Sequence, residues 1–238
     1  MSYEEEVYRE ALKWSRSIEK RPGFIQRKSK SLQTAVNNKV PERVHKIVTD
    51  SIKRMIELSL TGSQFILPVE NNPEWSFEKR EELIRGKIKQ YKRSASWEGA
   101  GTGAGGLWLG AADFPLLLSI KMKFLFDAGQ YYGLNVERYD ERVFLLHIFM
   151  LAFSSEEERE RVKGILLNWD TVSKERKHID WKTLQIEYRD TIDFVKMFQL
   201  LPGVGALVGY LANGRLIEQL GETTMNVHRL RLLNDHSS

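Results

Sequence analysis

The sequence predicts an all-α protein, a single compact multi-helix bundle with two glycine-rich helical segments. Apolar residues recur at three- and four-residue spacing along most of the chain, and no stretch alternates with the period of two that a strand requires. Helix start and stop residues bracket the periodic runs. The 238 residues are 42% hydrophobic and 29% charged, which suits one folded core and is too apolar for a disordered chain.

Ser2 and Glu5 have the spacing of a capping box, and Val7, Ala11, Trp14 and Ile18 follow on one helical face as far as Arg21-Pro22-Gly23. A short apolar pattern runs from Phe24 to Val36. Pro41 then suits a first helical turn, with Val44, Ile47, Val48, Ile52, Met55 and Ile56 on one side and an end near Thr61-Gly62-Ser63. After a loop holding Pro68, Asn71, Asn72 and Pro73, Ser76 is the N-cap of a charged helix whose apolar side is Leu83, Ile84, Ile88 and Tyr91.

The middle of the chain changes character: residues 99–112 carry no charge and are rich in glycine, and Asp113 interrupts them before Phe114-Pro115. A helix is expected from Pro115 to Tyr132, stopping at Gly133, a left-handed position after a helix end. Asp140 or Glu141 opens an apolar helix through Val143 to Phe153, and Ser155 with Glu158 has the form of a second capping box ahead of Val162, Ile165, Leu166 and Trp169. Residues 180–200 fit a further helix using Ile186, Ile192, Val195, Phe198 and Leu201. Eighteen uncharged residues separate Lys196 from Arg215, short of the ~20 predominantly apolar residues of a spanning helix and broken by Gln199, Pro202 and Asn213. The expected organisation is an N-terminal helical extension (1–39), a main helical domain (40–233) and a frayed tail (234–238).

Absence of cysteine excludes disulfides, Cys-based zinc sites and thiol nucleophiles, and with no signal peptide at the start it points to a reducing cytosol. Five scattered histidines have no metal-ligand spacing, so neither metal nor cofactor is expected. The charge is unevenly spread: residues 1–96 balance to +7 and residues 97–238 to −3. Two basic clusters, Lys20, Arg21, Arg27, Lys28, Lys30 and Arg85, Lys87, Lys89, Lys92, Arg93, are candidates for an anionic surface, with a solvated helix face as the simpler account.

Gly105-Gly106, Asp113-Phe-Pro115-Leu-Leu-Leu, Tyr132-Gly133, Leu201-Pro-Gly-Val-Gly-Ala206 and Gly221-Glu222, in that order, resemble the EcsC family from about Val40 to Leu233. That family is named for a bacterial protein encoded beside the subunits of an ABC transporter. The resemblance implies association with a membrane transport system and brings no catalytic residue set.

Gly101-Thr-Gly103-Ala-Gly105-Gly106 satisfies G-x-G-x-x-G, but no hydrophobic strand precedes it, and no Lys-Ser or Lys-Thr follows, so nucleotide loops are rejected. The close-packing candidates are the Gly-xxx-Gly pairs Gly99 with Gly103, Gly101 with Gly105, Gly106 with Gly110 and Gly205 with Gly209, because each glycine costs about 1 kcal/mol against alanine in a helix and a tight contact must offset it. Asp113 is read as a helix cap ahead of a ligand role. Lys121, Lys123 and Asp127 are read as surface residues, Lys123 pairing with Asp127 at i,i+4, and His147 as a core histidine. Two functions remain: a noncatalytic accessory protein on the cytoplasmic membrane face, its partners anionic lipid and transporter subunits, or an enzyme with a pocket between the glycine segments and Glu98, Asp113, Asn213 and Arg215 as polar groups. Nucleic-acid binding has charge in its favour but no motif.

Overall fold

The computed structural model describes residues 2–18, 42–61, 65–104, 114–172, 182–184, 186–188 and 205–234. Among these residues the principal helices are α1 (Tyr3–Ile18), α2 (Glu42–Thr61), α3 (Phe77–Ala104), α4 (Phe114–Tyr131), α5 (Tyr139–Phe153), α6 (Glu156–Leu167) and α7 (Gly205–Leu232). Among the described residues there is no strand, as the apolar period requires.

Local signals set several boundaries. At α1 the capping box closes: Ser2 Oγ accepts from the Glu5 N–H at 3.2 Å, and Glu5 Oε2 accepts from the Ser2 N–H at 3.3 Å. Ser76 caps α3 by accepting from the Lys79 N–H at 3.2 Å. Gly133 stands at φ +90° just past α4, where a β-carbon would be strained. The expected box at α6 does not close, because the Glu187 carboxylate takes both the N–H of Ser155 (2.5 Å) and its hydroxyl (3.0 Å), while Glu158 turns to Arg161. Nor does an acidic side chain cap α5: the N-cap is Arg138, with no side-chain cap bond, and it pairs with Asp140 at 2.7 Å.

Helix C-termini are satisfied by cations from elsewhere in the chain, which answers both the unpaired carbonyls and the negative end of the helix dipole. Arg159 donates to Ile18 O at 3.1 Å and Lys163 to Ser15 O at 3.0 Å at the end of α1. Arg142 donates to Leu60 O at 2.8 Å at the end of α2. These three cations therefore serve the fold itself.

The core is centred on α5, where every residue from Arg142 to Phe153 is buried, as befits a helix apolar all round. Val48, Ile52, Met55 and Ile56 of α2 pack onto it together with α4, α6 and α7. Helix α1, expected as an extension, contributes Ala11, Trp14 and Ile18 to this same core and lies mainly against α7. Among the described residues 182–184 and 186–188, Leu184 and Tyr188 are buried, and Ile186, expected as an apolar contact, is exposed. The pattern from Phe24 to Val36 and the contacts expected of Ile192, Val195, Phe198 and Leu201 lie outside the described residues.

Candidate functional site

The longest packing contact in the fold joins α3 to α7. Each has 28 residues, so each is about 42 Å long. They run antiparallel in a register fixed by five pairs: Glu81 with Arg229, Ile88 beside Gly221, Lys92 with Glu218, Ser96 beside Gly214, and Trp97 against Tyr210. Two glycines allow the approach. A β-carbon at Gly221 would lie 2.6 Å from Ile88 Cδ1, and one at Gly214 would lie 2.6 Å from Ser96 Oγ. These positions, seven residues and hence two turns apart on one face, are the close-packing glycines that the sequence reading missed.

The far end of this pair carries the described parts of the two uncharged segments. Gly99, Gly101 and Gly103 lie in the last turns of α3, and Gly205 and Gly209 in the first turns of α7; Gly105, Gly106, Gly110 and Asp113 lie outside the described residues. Trp97 is 66% exposed and meets Tyr210 edge to face with centroids 6.0 Å apart. Leu116 at the start of α4 and Leu211 on α7 are exposed there too. Of the polar candidates, Glu98 is half-buried on α3, Asn213 buried and Arg215 exposed on α7; they share this end, but among the described residues no hydrogen bond joins them.

The second basic cluster divides. Arg85 binds Glu81 at 3.0 Å, Lys87 binds Asp127 at 3.5 Å and Lys92 binds Glu218, so these three are engaged within the fold. Lys89 and Arg93 are exposed and, with Trp97, run at i, i+4 and i+8 along one outer stripe of α3. The first cluster, Lys20, Arg21, Arg27, Lys28 and Lys30, lies outside the described residues. Among those residues no helix is long and apolar enough to cross a membrane.

At the opposite end the pair is locked by a buried ion pair. Glu81 is fully buried, and its carboxylate accepts from Arg229 Nε at 2.6 Å and Nη2 at 2.7 Å, from the Tyr3 hydroxyl at 2.5 Å and from the Tyr132 hydroxyl at 3.1 Å. Burial alone pushes this carboxyl up, but the hydrogen bonds from Arg229 and Tyr3 and the charges of Arg229 and Arg85 outweigh it and hold it below the ordinary glutamate value. Tyr132 in turn stacks on His228, centroids 4.3 Å apart. Burial holds His228 down to about 4, so the ring is neutral near neutral pH. His147, the expected core histidine, is buried with Nδ1 2.9 Å from Val143 O.

On α4 two surface assignments are overturned. Asp127 is buried, and instead of pairing with Lys123 it accepts from the Tyr91 hydroxyl at 2.8 Å and meets Lys87, because its side of α4 faces α3. Lys121 is 1% exposed.

The chain matches the EcsC protein family over residues 5–233. It belongs to the EcsC family. It is 47% identical over 229 residues to "Protein EcsC" of Bacillus subtilis (strain 168), spanning 96% of both chains. It is also 30% identical over 155 residues to "Uncharacterized protein YdbA" of the same organism, covering 63% of this chain and 57% of that one. No solved structure matches it. The family match includes α1, in keeping with the share that this helix takes of the core, and in this EcsC-family chain the motif glycines Gly133 and Gly221 have distinct tasks: one terminates α4 and the other admits Ile88.

Proposed function

We propose that this EcsC-family protein is a noncatalytic accessory protein that sits peripherally on the cytoplasmic face of the membrane and serves a bacterial ABC transport system. The observation that carries the reading is the end of the α3–α7 pair, where exposed Trp97, Leu116, Tyr210 and Leu211 stand ahead of exposed Lys89, Arg93 and Arg215. Aromatic residues settle at the level of lipid headgroups, and cations a turn or two behind them meet anionic lipid at about 1 kcal/mol each. Binding of this kind is shallow and reversible by salt. The transporter partner rests on the family alone, through the bacterial protein for which it is named.

The test is sedimentation with lipid vesicles. Wild-type protein is expected to pellet with vesicles containing phosphatidylglycerol at low salt, and to be released at high salt and from vesicles of phosphatidylcholine alone. Lys89→Glu with Arg93→Glu should abolish pelleting, and Trp97→Ala should reduce it with the fold intact. Protein that stays in the supernatant with every vesicle would overturn the reading. For the partner, co-purification of the transporter subunits with the wild-type chain from detergent extracts is expected, and its failure would remove the transport association alone.

A further inference from the structure

Two exposed stripes run along the α3–α7 pair, and both change character in the same order. On α3, Glu78, Glu82, Lys89, Arg93 and Trp97 follow at i, i+4, i+11, i+15 and i+19, and all are exposed. On α7, Leu211, Arg215, Glu218 and Glu222 follow at i, i+4, i+7 and i+11, and these too are exposed. From the Trp97–Tyr210 end inward, each stripe is apolar, then basic, then acidic. The stripes share one side of the pair. Lys89 and Arg93 each stand one residue past a contact position, Ile88 and Lys92, and Arg215 and Glu222 stand one residue past Gly214 and Gly221. In antiparallel right-handed helices that step turns to the same side of the contact.

The helical rise sets the spacing along the axis. Arg93 and Arg215 lie about 6 Å behind Trp97 and Leu211, and Lys89 about 12 Å behind Trp97. The carboxylates stand farther back: Glu218 and Glu222 are about 10 and 16 Å behind Leu211, and Glu82 and Glu78 about 22 and 28 Å behind Trp97. Glu218, the nearest of them, is paired with Lys92. Glu98, beside Trp97, is half-buried and about 100° off the stripe. Ahead of the aromatic pair both helices continue without charge, through residues 99–104 of α3 and 205–209 of α7, a length of about 7–10 Å.

We infer, resting on the peripheral membrane reading, that the α3–α7 pair enters an anionic leaflet end-on rather than lying along it. Residues 99–104 and 205–209 pass into the boundary between headgroups and acyl chains. Trp97 and Tyr210 stay at headgroup level, Arg93 and Arg215 meet the lipid phosphates, and Lys89 follows a turn farther out. A flat contact would press Glu78, Glu82, Glu218 and Glu222 onto anionic headgroups. Upright entry carries Glu78 and Glu82 more than two screening lengths away, each about 8–10 Å at physiological salt. Helix ends carry unpaired backbone groups that hydrocarbon cannot hydrate, so entry stops at the boundary. Interfacial elements reach about 5–10 Å there, which matches the length of the uncharged turns.

The chain has no cysteine, so single cysteines carrying the fluorophore NBD report depth in the full protein. Leu211→Cys and Glu82→Cys place a label near the inserted end and one about 22 Å behind Trp97. The vesicles are phosphatidylglycerol with nitroxides on the headgroup or the upper acyl chain. The label at 211 should be quenched and blue-shifted, and the label at 82 unchanged. A second measurement needs no label. Each charge at the surface is worth about 5-fold in affinity, so Arg93→Gln with Arg215→Gln should weaken binding about 25-fold. Glu78→Gln with Glu82→Gln should change it less than about 2-fold, where a flat contact would tighten it about 25-fold. Quenching of both labels or of neither in protein that pellets, or tightening by the Glu78 and Glu82 changes, would overturn end-on entry and leave membrane binding standing. Wild-type protein that does not pellet would overturn the membrane reading and end-on entry with it.

Discussion

Replacing Arg229 by methionine tests the account of how the long pair is held. Glu81 is in the second turn of α3 and Arg229 in the last turn of α7, so each also faces the end of its own helix dipole that favours its charge. The carboxylate is 0% exposed and the arginine 6%, so the variant leaves a buried charge with its main partner gone. Breaking such a pair costs about 3–5 kcal/mol, which for a chain of this size lowers Tm by roughly 10 °C. Apolar replacement of both partners, Glu81→Met with Arg229→Met, removes the stranded charge and should recover most of that loss. The pH dependence has a defined sign. The Glu81 carboxyl is held below its ordinary value in the fold, so its contribution is complete above the ordinary value and is lost as pH falls through the lowered one. Urea unfolding at neutral pH, repeated in steps toward pH 3, reads both effects. A loss below about 1 kcal/mol in Arg229→Met, against the 3–5 expected, or an acid profile that is the same in the double variant, would refute the reasoning.

Gly214→Ala places a β-carbon 2.6 Å from Ser96 Oγ; overpacking of about 1–3 kcal/mol should exceed the ~1 kcal/mol gained in helix propensity. Adding Ser96→Ala removes the clash, so the double variant should match or exceed wild type in thermal unfolding, and a single variant that is stabilised would contradict the packing. His147 and His228 are both held down to about 4 by burial, so the unfolded chain takes up protons before the folded one does, and stability should fall as pH drops from about 6.5 toward 4. His228→Phe, which retains a ring against Tyr132, should flatten that decline measurably in urea midpoints taken across the range.

The helical period, the caps at Ser2 and Ser76 and the stop at Gly133 were legible in the sequence because each is set within a few residues of chain. The order of the EcsC motifs was legible for the same reason, as a linear pattern. Local signals were overridden where a distant group offered better bonding: Glu187 reaches Ser155 across 32 residues of sequence, and α6 loses its expected box. Charge was the poorest guide. Lys87, Lys92 and Arg85 looked like one basic face, yet each meets a carboxylate, two of them on other helices. The shared end of Glu98, Asn213 and Arg215 depends on the α3–α7 register rather than on any motif.

The sequence by itself therefore determined the class, the helices whose ends are capped locally and the family. Only the tertiary structure decided which charges are buried. Glu81 and Arg229 are 148 residues apart, and Lys121 is buried by helices that its own segment does not encode. Periodicity reports the width of an apolar face; what covers the rest of a helix is fixed by its neighbours, and with it the cost of every charge placed there.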